Sequence, residues 1–270
     1  DVDSLIRVAK PRLIGNETKY VLDCLESGWI SSVGDYVKRF EKRFAEFTGT
    51  QFAASCSNGT VALHLALLAV GVGPGDEVIV PTLTYIATAN AVRYCGATPV
   101  FVDSENDTMN LDPAKVKLAI SPKTKAVIAV HLYGHPADIY SLKLICDPLN
   151  IKIVEDAAEA HGSSIGDSVA GSLGDVATFS FYGNKIITTG EGGMITTNSQ
   201  EIDEKIRLLK GQGQDPSRRY WFLTTGYNYR LTNVAAAIGL AQLEYIDTHL
   251  EDRRRIASQY EYLLGPVGEL

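Results

Sequence analysis

The sequence predicts an α/β protein with a mostly parallel central sheet whose two faces are covered by helices. Short β-branched apolar runs alternate along the chain with longer segments of helical spacing, the pattern of strands joined by crossover helices. Apolar residues make up 45% of the 270 residues, which is enough for a large core. No internal repeat, low-complexity tract or linker interrupts the pattern.

Helices come first along the chain, and strands join the pattern from residue 77 onwards. Phe40, Phe44 and Phe47 recur at spacings of four and three, which indicates an amphipathic helix. Pro81 stops the first predicted strand, since proline cannot donate a ladder hydrogen bond. The segments predicted in this half are helices at 5–28, 37–48, 61–69, 88–95 and 113–120, and strands at 77–80, 98–103 and 126–131.

The second half of the chain repeats this alternation and closes on a helix. In an open α/β sheet a ligand lies beyond the carboxyl ends of the strands, so we expect functional residues directly after them. The segments predicted here are a helix at 139–149, strands at 151–155, 177–181 and 193–197, and a long helix that follows Leu231 and runs into the charged stretch 251–255.

Charge and hydropathy exclude several classes of protein. The formal net charge of −7 argues against nucleic acid as a main partner, because a phosphate-binding surface needs a basic excess. No apolar run approaches the length of a membrane helix, and the N-terminus has no signal pattern. Four widely spaced cysteines form no CxxC pair, which is typical of reduced thiols in a cytoplasmic protein. We therefore expect no membrane span and a cytoplasmic location.

Polar residues at two strand ends admit both a structural and a functional interpretation. Asn58, Gly59 and Thr60 precede a helix, where they would either cap it or bind an anion through free amides. Asp156 follows a predicted strand and has small neighbours, so its carboxylate needs a donor or a cation. Its partner would be His161, a backbone cap, or the protonated ring nitrogen of a cofactor. The residues alone leave these alternatives open.

Three further positions carry side chains that could react with or bind a ligand. Lys185 stands between an apolar strand and a glycine-rich stretch, where burial would lower the pKa of its amine and free it as a nucleophile. Tyr85 is either a core aromatic or a ring that stacks on a planar ligand. Asn228 is either a cap or an anion ligand. The histidines are too scattered for a metal site, and no GxGxxG loop supports a dinucleotide.

Five motifs together carry a resemblance to a known family. They occur in a fixed order: SNGTVALHLAL, VIVPTLTYIATANAV, VEDAAEAHG, SFYGNKIITTGEGGM and GYNYRLTNVAAAIGLAQLE. The chain resembles the DegT/DnrJ/EryC1/StrS sugar aminotransferases over roughly Leu13 to Arg255. The resemblance implies an aspartate aminotransferase-like large domain of fold type I that binds pyridoxal 5′-phosphate (PLP).

The resemblance also implies a role for each residue of the site. Lys185 would bind the cofactor covalently and shuttle a proton, and Asp156 would hold the pyridine nitrogen protonated. Glu159, where many relatives carry Gln, would contact the side of the ring hydroxyl, and Tyr85 would stack on the ring. The phosphate would be held by Gly59, Thr60 and Ser180, with Asn228 from the partner subunit. A homodimer with shared active sites is therefore expected.

Substrate and domain organisation follow from the same resemblance. The SFYGNK, TTGEGG and RYW motifs are similar to those of family members that aminate GDP-4-keto-6-deoxymannose, with glutamate as donor. Relatives that dehydrate the sugar carry His at the position of Lys185, so the lysine favours transamination. We expect residues 1–244 to form the PLP-binding domain with an N-terminal helical segment, and 245–270 to begin a truncated small domain.

Two other functions stay open at this point. A UDP- or dTDP-linked ketosugar would suit the same motifs, because loops and the small domain are expected to read the nucleotide and the sugar. A catalytically impaired or regulatory relative that keeps the fold is the second alternative, since only the beginning of the small domain is present.

Overall fold

A seven-stranded sheet organises the molecule, which a computed structural model describes for residues 9–265. Its strands are β1 (Phe52–Cys56), β2 (Glu77–Pro81), β3 (Thr98–Val102), β4 (Thr124–Val130), β5 (Lys152–Asp156), β8 (Val176–Ser180) and β9 (Gly193–Thr197). A separate hairpin pairs β6 (Ser164–Ile165) with β7 (Ser168–Val169). The sheet order is β1-β9-β8-β5-β4-β2-β3, and only β9 runs antiparallel to its neighbours. The predicted mostly parallel sheet is confirmed.

Helices cover both faces of the sheet. One face carries a core built with α3 (Gly59–Ala69), α4 (Ala87–Tyr94) and α7 (Gln200–Lys210). The opposite face carries α1 (Glu17–Ser27), α2 (Asp35–Thr48) and α8 (Asn233–Leu243) at one end. Its other end carries α5 (Pro113–Ala119) and α6 (Ile139–Cys146). The last helix described is α9 (Ile246–Leu264).

Apolar aromatic packing explains why α2 lies where it does. Phe40 and Phe44 are fully buried and contact Phe181, and Phe44 also meets Phe179 edge-on with ring centroids 4.9 Å apart. The spacing of four puts both phenylalanines on one helix face. Because Phe179 and Phe181 belong to β8 and the loop after it, this packing fixes the loop that leads to Lys185.

Several predicted elements differ from the structure. The helix predicted at 5–28 begins only at Glu17, and residues 1–8 lie outside the described range. The long helix after Leu231 is two helices, with a break at Glu244 and Tyr245. The sequence analysis missed β1, the β6–β7 hairpin and α7. The predicted domain boundary coincides with the α8–α9 junction, and the division into two domains stays a prediction.

No helix within residues 9–265 is long and apolar enough to cross a membrane.

The register of the parallel strands brings the predicted site residues to one edge. Asp156 is the last residue of β5 and pairs with Val130 of β4 and Thr178 of β8. The carbonyl of Asp156 also accepts a hydrogen bond from His131 N at 3.0 Å. Ser180 ends β8, and Tyr85 follows β2 by four residues. The carboxyl ends of these strands form the edge where a ligand is expected.

Candidate active site

Asp156 is a buried carboxylate without a cation. Only 7% of the residue is exposed, and none of the ion pairs formed within residues 9–265 includes it. Its Oδ2 accepts a hydrogen bond from Thr88 Oγ1 at 3.0 Å, and its Oδ1 accepts one from Ala158 N at 3.3 Å. Burial raises the pKa of Asp156, and these two bonds only partly oppose the rise. The predicted backbone partner is present, whereas His161 does not bond to Asp156.

The preceding residue, Glu155, is also buried but fully partnered. Its two oxygens accept hydrogen bonds from the amides of Gly171, Leu173 and Gly174, at 2.6–2.9 Å. His131 Nε2 donates to Glu155 Oε2 at 2.9 Å, because His131 Nδ1 accepts from an amide. Burial would raise the pKa of Glu155, but His131 and the amides outweigh it and the pKa is lowered. This carboxylate belongs to the scaffold.

Lys185 lies at the same edge, in the loop after β8. Its side chain is 17% exposed, and Nζ lies 3.4 Å from Glu159 Oε1. Hydrogen bonds hold the loop on both sides of the lysine: Lys185 N donates to Tyr182 O, and Thr188 Oγ1 donates to Phe181 O at 2.8 Å. The lysine side chain is therefore mostly enclosed and held on a fixed backbone, as a nucleophile requires.

Glu159 joins the lysine to a strained loop. Its Oε2 accepts a hydrogen bond from Tyr133 N at 2.9 Å, while its Oε1 faces Lys185. Tyr133 follows β4 with φ +51°, an uncommon left-handed conformation for a residue with a side chain, and its ring is 87% exposed. The two donors meet different oxygens of the carboxylate, and a Gln side chain has only one oxygen to offer. Both contacts as they stand therefore need Glu at this position.

Gly59, Thr60 and Ser180 meet at the start of α3. A Cβ on Gly59 would lie 2.9 Å from Ser180 Cβ, so only glycine permits this approach. Asn58 Oδ1 caps the helix by accepting from Val61 N at 3.0 Å. Within the described chain, the hydrogen bonds at this helix start leave the amides of Gly59 and Thr60 without acceptors. Both interpretations of this segment therefore hold: it caps a helix and offers an anion cradle.

Tyr85 is not a core residue. Its ring is 77% exposed, and it lies in the turn between β2 and α4. The carbonyl of Tyr85 accepts from Thr88 N at 3.1 Å, so the turn that presents the ring also begins the helix that carries Thr88. The structure thus presents an exposed aromatic side chain on the turn that leads to Thr88, which donates to Asp156.

Asn228 is connected to the predicted site only through its neighbour in the chain, Tyr229. Its exposed side chain accepts a hydrogen bond from Arg230 at 3.2 Å. The next residue, Tyr229, accepts a hydrogen bond from Ser57 N at 2.9 Å, which places the segment beside the anion cradle. The structure shows no contact between the Asn228 side chain and the other predicted site residues within the described chain.

Sequence reasoning missed two residues at this edge, Thr88 and Tyr133. The repeat of threonine at positions 84 and 88 was the available signal for Thr88, since residues four apart share one side of a helical turn. No sequence signal marks the left-handed conformation of Tyr133, because this conformation normally favours Gly or Asn.

Comparison with known proteins gives a family and several close relatives. The model of the DegT/DnrJ/EryC1/StrS aminotransferase family matches residues 11–270. The GDP-perosamine synthase of Caulobacter vibrioides is 58% identical over 97% of this chain and 71% of its own length. The GDP-perosamine synthase of Escherichia coli O157:H7 is 52% identical over 95% of this chain and 70% of its own length.

Solved structures agree with this assignment. The crystal structure of 3-amino-5-hydroxybenzoic acid synthase gives a TM-score of 0.92 at 37% identity, over 96% of this chain and 69% of that one. The PMP-form of the putative sugar aminotransferase Spr1654 from Streptococcus pneumoniae gives 0.90 at 34% identity, over 96% and 70%. The chain thus spans about 70% of the length of its curated relatives.

The chain belongs to the DegT/DnrJ/EryC1/StrS aminotransferase family, and its cofactor is PLP. The residues present fit that group. Asp156 is a buried carboxylate that lacks a cation, and the protonated ring nitrogen of PLP would supply one. Ser180 packs directly against Gly59, and the free amides of Gly59 and Thr60 at the start of α3 are suited to a phosphate.

Proposed function

We propose that this aminotransferase transfers an amino group from glutamate to GDP-4-keto-6-deoxymannose and so forms GDP-perosamine. Three relatives named GDP-perosamine synthase, at 51–58% identity over 95–97% of the chain, support this substrate. The observation in the structure that supports the chemistry most strongly is the placement of Lys185 beside Glu159, at the edge where Asp156 lacks a cation.

PLP supplies an electron sink that stabilises negative charge on the carbon next to the transferred nitrogen. The residues around Asp156 would orient that group. The Asp156 carboxylate would hold a proton on the ring nitrogen, Tyr85 would cover one face of the ring, and the start of α3 with Ser180 would bind the phosphate. Each of these tasks needs groups in fixed positions, and β2, β5 and β8 end at one sheet edge, where α3 begins.

Lys185 would move the proton that transamination requires. Its Nζ is held by a short loop and is mostly shielded from water, so it can act as a base once it is neutral. Glu159 would keep the amine positioned through Oε1 while it holds the Tyr133 backbone through Oε2. Removal of the amine would therefore end proton transfer without disturbing the sheet.

We further propose a cytoplasmic homodimer with shared sites. Asn228 supports the shared site, because its side chain is exposed and, within the described chain, contacts none of the other predicted site residues. From there it could reach the phosphate bound by a second subunit. If this is so, mixing Lys185→Ala protein with Asn228→Ala protein should restore activity above either variant alone. Absence of any recovery in verified mixed dimers would contradict shared sites.

The substrate is tested by direct comparison of nucleotide sugars. GDP-4-keto-6-deoxymannose, and UDP- and dTDP-linked 4-keto-6-deoxysugars, are each incubated with the protein, PLP and glutamate, and amino-sugar formation is measured. We expect the GDP sugar to give the highest kcat/KM. Equal or better turnover of another nucleotide sugar would overturn the assignment. PLP binding without any turnover would instead favour the catalytically impaired relative.

A further inference from the structure

Thr88 is the side chain that holds the Asp156 carboxylate. It is fully buried in the first turn of α4, and its Oγ1 lies 3.0 Å from Asp156 Oδ2. The other hydrogen bond to this carboxylate comes from a backbone amide at 3.3 Å. Thr88 therefore provides the shorter of the two hydrogen bonds, and the only one from a side chain within residues 9–265.

The direction of this hydrogen bond follows from the charge of Asp156. Thr88 Oγ1 also lies 2.9 Å from Thr84 Oγ1, and a hydroxyl has one hydrogen to donate. An ionised carboxylate only accepts, so Thr88 donates to Asp156 and accepts from Thr84. The two threonines then form a short chain of hydroxyls that ends on the carboxylate. Such a hydrogen bond to a charged group is stronger than one between neutral groups.

The same turn also sets the position of Tyr85. Tyr85 lies between the two threonines, and its carbonyl accepts from Thr88 N at 3.1 Å. The hydrogen bond between the Thr84 and Thr88 hydroxyls holds the side of the turn that faces the protein interior. The Tyr85 side chain lies on the side that faces solvent. Asp156 and Tyr85, which lie on different strand ends, are thus held together by one residue.

We propose that Thr88 is a positioning residue that keeps the Asp156 carboxylate ionised and aimed at the cofactor ring, and that ties it to the Tyr85 turn. The inference rests on the proposed role of Asp156 in binding the pyridine nitrogen. The charged or titratable groups whose fields reach Asp156 are Lys185 and His131. Neither lies within ion-pair distance of it, so Thr88 remains the direct partner.

The test removes the hydroxyl of Thr88 and keeps the shape of its side chain. Thr88→Val is compared with Thr88→Ser, which keeps the hydroxyl, and the PLP dissociation constant is measured by equilibrium dialysis. We expect about tenfold weaker PLP binding in Thr88→Val and recovery to within about threefold in Thr88→Ser. Thr196→Val is the matched control, because Thr196 is equally buried and donates to Gly171 O at 2.7 Å rather than to Asp156.

A double-mutant cycle separates this inference from the role of Asp156 itself. If Thr88 acts through the carboxylate, Thr88→Val should weaken PLP binding by less than about threefold in an Asp156→Asn background. A full tenfold loss in that background, or a loss in Thr88→Val no larger than in Thr196→Val, would overturn the inference. Unchanged PLP binding in Asp156→Asn alone would instead overturn the proposed role of Asp156.

Discussion

Glu155 and Asp156 are neighbours at the end of β5, and both are buried, yet their surroundings have opposite effects on their charges. Glu155 faces His131 and three backbone amides, which lower its pKa despite burial. Asp156 faces one hydroxyl and one amide, and burial raises its pKa. Successive residues of a strand point to opposite faces, so one position serves the scaffold and the next serves the site.

A third buried carboxylate supports this distinction. Glu41 in α2 pairs with Lys210 Nζ at 3.0 Å and Arg207 at 2.9 Å, and also accepts from Ser55. Burial alone would raise the pKa of Glu41, but the two cations lower it to about 2. Glu41 and Glu155 thus have all their partners within the chain. Asp156 does not, which is typical of a group that meets its partner in a ligand.

Replacement of Lys185 should have the largest effect of any single change. Lys185→Ala should lower transamination by at least about 1000-fold, because it removes the group that moves the proton. Thermal unfolding of the protein without cofactor should stay near that of the wild type. The matched control is Lys152→Ala, which breaks a half-exposed pair with Asp175 far from the site and should leave turnover unchanged. Substantial residual activity in Lys185→Ala would contradict the account.

Replacement of Glu155, the carboxylate that belongs to the scaffold, should destabilise the protein. Glu155→Gln should lower the free energy of unfolding by about 3 kcal/mol, because an amide nitrogen would face donors that now have an acceptor. Urea unfolding followed by circular dichroism measures this loss. An unchanged midpoint would show that the contacts of Glu155 are not structural, and the contrast with Asp156 would fail.

Lowering the pH should reveal how much the ionised Glu41 contributes to the free energy of unfolding. In the unfolded chain Glu41 takes up a proton near its ordinary pKa of 4.5, whereas in the folded protein it does so only near about 2. The unfolded state therefore binds more protons in this window, and stability is lost as pH falls from about 4.5 towards 2. The slope of unfolding free energy against pH should be shallower in Glu41→Gln. An identical slope in both proteins would refute the pairing.

Glu159→Gln should have the smallest effect. The amide keeps one acceptor for either Tyr133 N or Lys185 but not for both, so we expect kcat/KM to fall about threefold to tenfold. Steady-state kinetics with a saturating amount of PLP measures the change. A loss as large as that in Lys185→Ala would mean that Glu159 itself carries out proton transfer.

The sequence predicted the fold class and the placement of most site residues because both depend on local patterns. Alternating strands and helices, and polar residues directly after strands, bring Asp156 and Ser180 to one edge. Gly59 was recognised as the start of a helix, although the strand before it was missed. The role proposed for Lys185 rests on its motif. Its mostly enclosed position agrees with the expectation from its apolar and glycine-rich neighbours.

What the sequence could not predict depends on tertiary contacts. The break between α8 and α9 has no Gly or Pro. Glu244 there accepts hydrogen bonds from Asn16 Nδ2 at 2.8 Å and Tyr20 OH at 2.7 Å, more than 220 residues away. β1 was missed because its Phe-Ala-Ala-Ser-Cys sequence has weak strand propensity, and its pairing with β9 decides its conformation. The contact of Thr88 with Asp156 likewise depends on the order of the strands.

We propose that the protein satisfies the Glu155 carboxylate with its own hydrogen-bond donors and leaves the charge of Asp156 to PLP. The direct test measures PLP affinity and cofactor-free stability in Asp156→Asn beside Glu155→Gln. We predict that Asp156→Asn binds PLP about 30- to 1000-fold more weakly and unfolds no more easily than the wild type. Glu155→Gln should be less stable but bind PLP within about threefold of the wild type. Wild-type PLP affinity in Asp156→Asn, or a stability loss there equal to that of Glu155→Gln, would contradict the claim.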